Sequence, residues 1–357
     1  MRILGIETSC DETSAAVVEE TGDMTRPWAI RSSVVASQVP IHREWGGVVP
    51  ELASRQHIRD ICGVVDRALS EAGTVWSDLG AIAVTQGPGL VGSLLVGVSF
   101  AKAAAAASGL PLVAVHHLAG HIESLVLQNG EMPLPAVVLV VSGGHTSLYL
   151  VETAGQYSPI SRTRDDAAGE AYDKVAKLLG LGYPGGPVVD RLAQSGDDRA
   201  VPLPTTRLTH ADRNAPELKG DLDFSFSGLK TAVLRHVRGT GVLQGGQDSR
   251  PPLSEQDVAD ICASFQRVVV ATLIDRTFDA ARRYQARSIG VAGGVSANSR
   301  LRAELEERGR RREIPTFLPS LALSTDNAAM IAAAGLRRFR AGVIASLDIN
   351  ADASLTL

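Results

Sequence analysis

Two rhythms of apolar and polar positions alternate along this chain, and the order in which they change predicts its fold. Residues 2–7, Arg-Ile-Leu-Gly-Ile-Glu, read as a buried strand, followed by a small polar turn at 8–13 and a second strand at 14–19. A third strand is expected at 30–37, and strands so close in sequence pair antiparallel through tight turns. After Gly46-Gly47, Pro50 is a good first helical residue. Leu52, Ile58, Ile61, Val65, Ala68 and Leu69 then recur at helical spacing over 51–69. A strand at 81–85 is broken by Gly87-Pro88-Gly89 before an Ala-rich helix at 90–107. That helix is apolar nearly all round, which predicts burial on several sides or against a partner. Residues 112–115 read as a strand that leads into a helical segment ending near Leu127.

The second half repeats the layout of the first. A buried strand at 137–141 runs into Ser142-Gly143-Gly144-His145-Thr146 and a second strand at 147–151. Sequence identity between the halves is negligible, yet the strand, small-residue turn and strand recur in order. Helices are expected at 168–179 and 187–194, on either side of the breaker-rich loop Gly182-Tyr183-Pro184-Gly185-Gly186-Pro187. Residues 199–223 read as irregular, 224–230 lead into a helix, and 239–252 form a polar, Gly-rich insertion. A long helix at 255–286, a strand at 288–292, the turn Gly293-Gly294-Val295-Ser296 and a helix at 298–311 follow. The pattern ends with a strand at 316–318 and a helix at 326–340 capped by Thr325. This is an α/β chain in which strands and helices alternate within two halves, each opening on a β-hairpin. Such a layout matches the two-lobed actin-like ATPase (ASKHA) fold of actins, sugar kinases and Hsp70, with duplicated mixed-sheet subdomains and a cleft between them. Lobe I is expected at 1–130 plus 325–357, and lobe II at 131–324.

Composition narrows the class further. With 357 residues, 45% of them hydrophobic, the chain is long enough for two cores. Its formal net charge of −4 makes a nucleic-acid partner dependent on local basic patches, for which the runs at 308–312 and 235–238 are candidates beside the plainer reading of solvated helix faces. The three cysteines, Cys10, Cys62 and Cys262, are widely separated, so neither a disulfide framework nor a cysteine zinc site is expected. No signal-peptide pattern precedes the first strand. The longest apolar region, 90–115, is interrupted by Lys102, Ser108, Gly109 and Pro111, which argues against a membrane span. The expectation is a cytoplasmic protein without a membrane partner.

The first candidate chemistry lies in Val115-His116-His117-Leu118-Ala119-Gly120-His121. On a helix His117 and His121 share one face, a spacing that suits a single metal ion. A chance pair of histidines, one buried and one solvated, is the plainer reading of the spacing taken alone. Asp326, in Ser324-Thr325-Asp326-Asn327, is a candidate third ligand, although charge stabilisation of a helix start explains it too. Two imidazoles and a carboxylate with open positions suit Fe(II) or Zn(II). Small-residue turns at 8–13, 142–146 and 293–298 follow buried strands and let backbone N–H groups approach a phosphate or carboxylate. Asp173 and Asp190 read equally well as surface carboxylates or as acceptors for ribose hydroxyls.

Two enzyme classes fit less well. Ile6-Glu7-Thr8-Ser9 departs from the Asp-x-Gly-Thr type pattern of sugar kinases and actins, so a small-metabolite kinase or ATPase remains only the fold-level alternative. A zinc metallopeptidase of the H-E-x-x-H type needs Glu directly after its first His, where this chain has Leu118.

Taken together, the motifs resemble one family, the TsaD family of tRNA N(6)-adenosine threonylcarbamoyltransferases. The matching stretches are 5–13 (Gly-Ile-Glu-Thr-Ser-Cys-Asp-Glu-Thr), 47–55 (Gly-Val-Val-Pro-Glu-Leu-Ala-Ser-Arg) and 117–121. They continue through 141–146, 169–174, 183–186, 224–231, 293–298 and 324–330, in the family's order over nearly the whole chain. The resemblance implies transfer of a threonylcarbamoyl group from threonylcarbamoyl-AMP to the exocyclic amine of the adenosine beside the anticodon. It implies a divalent metal, Fe(II) before Zn(II), on His117, His121 and Asp326. Substrate is placed on Val140, Val141, Ser142, Gly143, Gly144, Asp173, Gly186, Asp190 and Asn298. His145 follows the bacterial pattern. The implied partners are tRNA, a shorter TsaB-like paralogue docked on the helices 51–69 and 90–107, and a TsaE-like ATPase. No role carries over to the insertion at 239–252.

Overall fold

The computed structural model describes residues 1–206, 208, 220–239 and 253–357. The insertion read at 239–252 lies outside them beyond Gly239, as does the part of the irregular stretch at 209–219.

The first half opens with β1 (Arg2–Glu7), β2 (Glu12–Glu20) and β3 (Trp28–Ser37), an antiparallel meander whose β1 and β2 are buried on both faces. A short helix α1 (Val39–Arg43) and a loop lead to α2 (Pro50–Glu71). Then come β4 (Leu79–Gly87), α3 (Val91–Ser108), β5 (Leu112–His116) and α4 (His117–Asn129). Crossover helices return the chain so that β4 and β5 add in parallel, giving the order β3-β2-β1-β4-β5.

The second half repeats this topology. An antiparallel meander of β6 (Ala136–Val141), β7 (Thr146–Thr153) and β8 (Gln156–Arg162) is followed by α5 (Ala168–Leu178), α6 (Gly185–Ala193), α7 (Ser227–Arg238) and α8 (Glu255–Arg283). Next come β9 (Ser288–Ala292), a 3-10 turn (Gly294–Ala297), α9 (Ser299–Arg312), β10 (Thr316–Phe317), α10 (Leu321–Ser324) and α11 (Ala328–Arg340). The sheet order β10-β9-β6-β7-β8 is the first sheet's order read in reverse. The duplicated, actin-like architecture expected from the hydrophobic pattern is therefore present. β8 was not expected: Pro159 and its polar neighbours blur the alternation, which an edge strand tolerates because one flank needs no ladder partner.

Each sheet is covered on both faces. Helices α2 and α3 cover one face of the first sheet through Ile61, Val65, Val98 and Ala101, while α11 covers the other with Ala329, Ile331 and Ala332. Gly5 on β1 permits the closeness of α11, because a Cβ there would lie 2.3 Å from the Ala328 carbonyl oxygen. On the second sheet, α5, α7 and α8 bury Tyr172, Val233, Phe265 and Leu273 against one face. α4 covers the other with Leu118, Ile122 and Leu125. The same helix also packs on α11, with Gly120 facing Met330 and Ile331. α4 thus touches both halves, and whatever its remaining face carries is held between them.

α3 is long and apolar enough, by length and composition alone, to cross a membrane, and it is the one such helix among the described residues. Lys102 lies within it, as in the helix expected at 90–107. Its ammonium donates to the Ile349 carbonyl at 3.0 Å while Leu94, Val98, Ala101 and Ala105 bury the other side.

Candidate metal centre and substrate cleft

The face of α4 left between the two halves carries His117 and His121, both buried. Their rings sit edge to face with centroids 4.7 Å apart. The preceding His116 caps the helix: its Nδ1 accepts the Leu118 N–H at 3.1 Å and its Nε2 donates to the Leu355 carbonyl at 3.0 Å. With both nitrogens engaged, His116 is not available as a ligand. Burial pushes its pKa down to about 4, in keeping with that neutral, fully bonded ring.

His117 is turned by groups from β1. Its Nδ1 lies 3.1 Å from Glu7 Oε2 and 3.2 Å from Ser9 Oγ. Glu7 is fully buried at the end of that strand, where Thr85 Oγ1 donates to Oε2 at 2.7 Å and the Ser9 N–H donates to Oε1. A carboxylate on Nδ1 fixes the tautomer and aims Nε2 the other way. Nε2 of His117 is 3.6 Å from Asp326 Oδ1, and Nε2 of His121 is 3.2 Å from the same oxygen. One donor atom from each of the three residues lies within 4.8 Å of the others.

Asp326 precedes α11 rather than opening it. The expected cap at Thr325 is corrected: Asn327 caps the helix by accepting the Met330 N–H at 3.0 Å, and the Ala328 N–H is held by Ser14 Oγ at 2.9 Å. An amide at the N-cap satisfies a helix-end donor, which leaves the Asp326 carboxylate free to face the imidazoles.

Both ring nitrogens of His121 are buried without a hydrogen-bond partner, because the short approach of Nε2 to Asp326 lacks hydrogen-bond alignment. An unpaired buried imidazole is costly, and lone pairs of two rings and a carboxylate converging on one point are what a cation satisfies. Two ligands each about 2.1 Å from one ion stand about 3.0–3.4 Å apart at octahedral to tetrahedral angles, close to the separations here. The residues present therefore fit a divalent ion, and family and cluster together suggest a metal-binding site.

Charge at this point is strongly coupled. Burial works against ionising His117, but Asp326 and Glu7 outweigh it and hold its pKa up, at about 9. Burial likewise raises Asp326 and Glu7, and the imidazoles more than offset it, so both carboxyl groups lie below the usual range. Burial depresses His121, only partly countered by Asp326. His145, on the neighbouring turn, is pushed down to about 4 by burial and by the other histidines. Glu12 lines the cleft beside Asp11, where burial and the nearby Asp11 and Asp326 raise its pKa to about 10.

A cleft of about 410 Å³ reaches Thr325, the residue before Asp326, and is lined from both halves by Asp11, Glu12 and Thr325 on one side and Gly143, Asp173, Gly186, Asp190 and Asn298 on the other. Gly143 and Gly144 leave space for a ligand, since a Cβ on either would meet nothing within 4 Å. The Ser142 N–H is committed to the His145 carbonyl at 2.8 Å, whereas the Gly143 and Gly144 N–H groups make no hydrogen bond within the protein, and Gly143 lines the cleft. Val140 and Val141 end β6 with side chains wholly buried in opposite cores, which restricts any contact with a ligand to their backbone. Asp173 Oδ1 accepts the Gly185 N–H at 2.7 Å at the start of α6, and burial raises its pKa. Asp190 and Asn298 meet at the start of α9, 3.2 Å apart.

Sequence reasoning named the turn 8–13 for its backbone amides but gave no side-chain role to Glu7, Ser9 or Glu12. The available signal was a carboxylate closing an otherwise apolar strand, which must find a buried partner. Leu118, in the position where a metallopeptidase would carry its general base, is buried in the second half's core. The arginine run at 308–312 is largely a solvated helix face: Arg308 pairs with Asp275, and Arg310 and Arg311 both pair with Glu307.

Fold and site together define an actin-like, two-lobed α/β protein with a buried histidine–carboxylate cluster that suits a metal ion beside its cleft. Structures with this fold at low identity include component A of the Acidaminococcus fermentans (R)-2-hydroxyglutaryl-CoA dehydratase, with TM-score 0.50, 16% identity, and coverage of 95% of this chain and 98% of that one. Full-length HypF aligns with TM-score 0.56 and 13% identity over 94% of this chain and 54% of its own. The chain belongs to the TsaD family, tRNA N6-adenosine threonylcarbamoyltransferase, which it matches over residues 29–333. The enzyme of that name from Anaeromyxobacter sp. (strain Fw109-5) is 52% identical over 353 residues, covering 99% of this chain and 98% of the relative. That of Thermodesulfovibrio yellowstonii is 48% identical over the full length of both chains.

Proposed function

We propose that this transferase moves a threonylcarbamoyl group from threonylcarbamoyl-AMP to the N6 amine of the adenosine beside the anticodon, in tRNAs that read codons starting with A. The observation that carries the reading is the convergence of His117, His121 and Asp326 on one point at the cleft wall, in a chain related to enzymes of this name along nearly all its length.

The donor is a mixed anhydride, so adenylate leaves readily and needs little acid help, whereas an adenine amine is a weak nucleophile. His117, His121 and Asp326 would hold a divalent ion, Fe(II) on the all-nitrogen-and-oxygen donor set with Zn(II) as the alternative, which supplies Lewis-acid polarisation of the donor's carbonyl. The Gly143 and Gly144 N–H groups offer hydrogen bonds to the negative charge that develops as the amine attacks. Asp173 and Asp190 are assigned to the nucleotide's ribose side of the cleft, with Gly186 and Asn298 beside them. Glu7 keeps His117 in its ligating tautomer. Positioning of the tRNA loop against the cleft supplies the remaining advantage.

The lobe boundary follows α4: residues 1–130 with 325–357 form one lobe and 131–324 the other. A TsaB-like paralogue fits the pair α2 and α3, where Ile58 is 64%, Val91 56% and Leu95 42% exposed. A TsaE-like ATPase and a cytoplasmic location complete the assignment. The test is reconstituted transfer from labelled threonine and ATP-derived donor onto unmodified tRNA, with and without partners and chelator. Threonylcarbamoyl-adenosine in the nuclease digest, lost on chelation, is the expected result. Release of phosphate or cleavage of peptides without modified tRNA would contradict it.

A further inference from the structure

Asp190 receives four hydrogen bonds from three residues. Gln266 Nε2 at 3.0 Å, Asn298 Nδ2 at 3.2 Å and Ser299 Oγ at 2.7 Å all donate to Oδ1, while Oδ2 accepts the Ser299 N–H at 3.0 Å. A carboxylate oxygen has about two lone pairs, so Oδ1 is saturated and a ligand hydroxyl that reaches Asp190 meets Oδ2. Asn298 has no such vacancy. Its Oδ1 accepts the Leu301 N–H at 2.9 Å, and its Nδ2 is shared between Asp190 and Gln266 Oε1, the latter at 2.8 Å. A ligand contacts the Asn298 amide only by displacing one of these.

Gln266 ties the arrangement together. It sits in the middle of the 29-residue helix α8 at 3% exposure, in a stretch whose neighbours Phe265, Val268 and Val269 are core residues. An amide in such a place costs folding free energy that an apolar residue would not. Because Asp190 can only accept, Nε2 must face it, and Oε1 then faces the Asn298 donor, with Tyr172 Oη 3.4 Å away. Both ends of the side chain are thus committed in one orientation, on two residues of the cleft wall.

We propose that Gln266 is a positioning residue that, directly and through Asn298, presents Asp190 Oδ2 to one ribose hydroxyl of the bound adenylate, so that a buried amide on α8 sets the cleft's preference for a ribonucleotide. This rests on reading the cleft as an adenylate site, and the experiment separates the two. AMP, 2′-deoxy-AMP and 3′-deoxy-AMP are titrated calorimetrically into metal-loaded wild type, Q266M, Q266E and D190N. Wild type is expected to bind AMP about ten-fold more tightly than one of the two deoxy analogues, the scale of a hydrogen bond to a charged acceptor. Q266M weakens AMP by about the same ten-fold while leaving that analogue within about two-fold of wild type. Q266E keeps an acceptor for Asn298 but turns an oxygen towards Asp190, so it loses the same selectivity even if Q266M folds poorly. In the transfer assay both variants raise the donor KM and leave kcat within about two-fold, as expected when uniform binding is lost. Equal weakening of AMP and both analogues, or unchanged selectivity in Q266M and Q266E while D190N loses it, overturns the role of Gln266. Unchanged selectivity in D190N as well overturns the adenylate reading itself.

Discussion

Glu7 Oε2 stands 3.1 Å from His117 Nδ1, which joins the end of the first strand to the start of α4 through a fully buried carboxylate–imidazole pair. This contact turns Nε2 towards Asp326 and makes the ligand's orientation a property of the first sheet. Partners of this kind commonly govern metal affinity by about 10–100-fold. Glu7→Gln, which keeps shape but removes the charge, is expected to weaken metal binding by about that factor. Competition with a fluorescent chelator measures it; an unchanged affinity would reduce Glu7 to a packing role.

Gly5 lets α11 lie against β1, and α11 fixes where Asp326 stands. A Cβ at this position would meet the Ala328 carbonyl oxygen at 2.3 Å and the Ala332 backbone nitrogen at 2.8 Å, and backbone cannot rotate away. Gly5→Ala is therefore expected to destabilise by about 1–3 kcal/mol, as overpacking does. It should lower metal affinity at the same time. Denaturant unfolding and metal titration on the same preparation check whether the two losses appear together.

Glu12 gives a pH dependence with a definite sign. Its pKa rises from 4.5 to about 10, through burial first and then the nearby Asp11 and Asp326. Between those values the folded protein binds more protons than the unfolded chain, so stability falls as pH rises from 4.5 towards 10. Glu12→Gln should remove that part of the slope and be relatively more stable at alkaline pH. Thermal unfolding in chelator from pH 5 to 9 reads it, and adding the metal should flatten the wild-type slope because a nearby cation favours the carboxylate.

The exposed apolar face of α2 and α3 predicts a partner effect without a folding effect. Leu95→Glu or Ile58→Glu should abolish association with the smaller paralogue on size-exclusion chromatography. Stability should stay within about 0.5 kcal/mol, as for most surface substitutions. Retained association would move the docking site elsewhere.

Much of this was legible in the residues because the chain repeats one strand-and-helix order twice, and buried parallel strands such as β4 and β9 are short apolar runs bounded by glycine or proline. Helical spacing put His117 and His121 on one face, but it left a metal pair and a chance pair both open until Asp326 and the family's other motifs were added. Asp326 was found as a ligand candidate but placed at a helix start, since Thr325 and Asn327 are both good caps and only the backbone path decides between them. Glu7 was passed over because its partner lies 110 positions away. The commitment of Asp190 to Gln266 and Ser299 was equally hidden: it depends on how α6, α8 and α9 meet, and spacing within one helix says nothing about that.

The most direct test of the metal centre is a paired measurement of bound metal and threonylcarbamoyl transfer in wild type, His117→Ala and Asp326→Ala, with circular dichroism of each. The account predicts one divalent ion and full transfer in wild type, and neither ion nor transfer in the variants, whose folds remain intact. A His117→Ala protein that holds no metal yet modifies tRNA at the wild-type rate would contradict it.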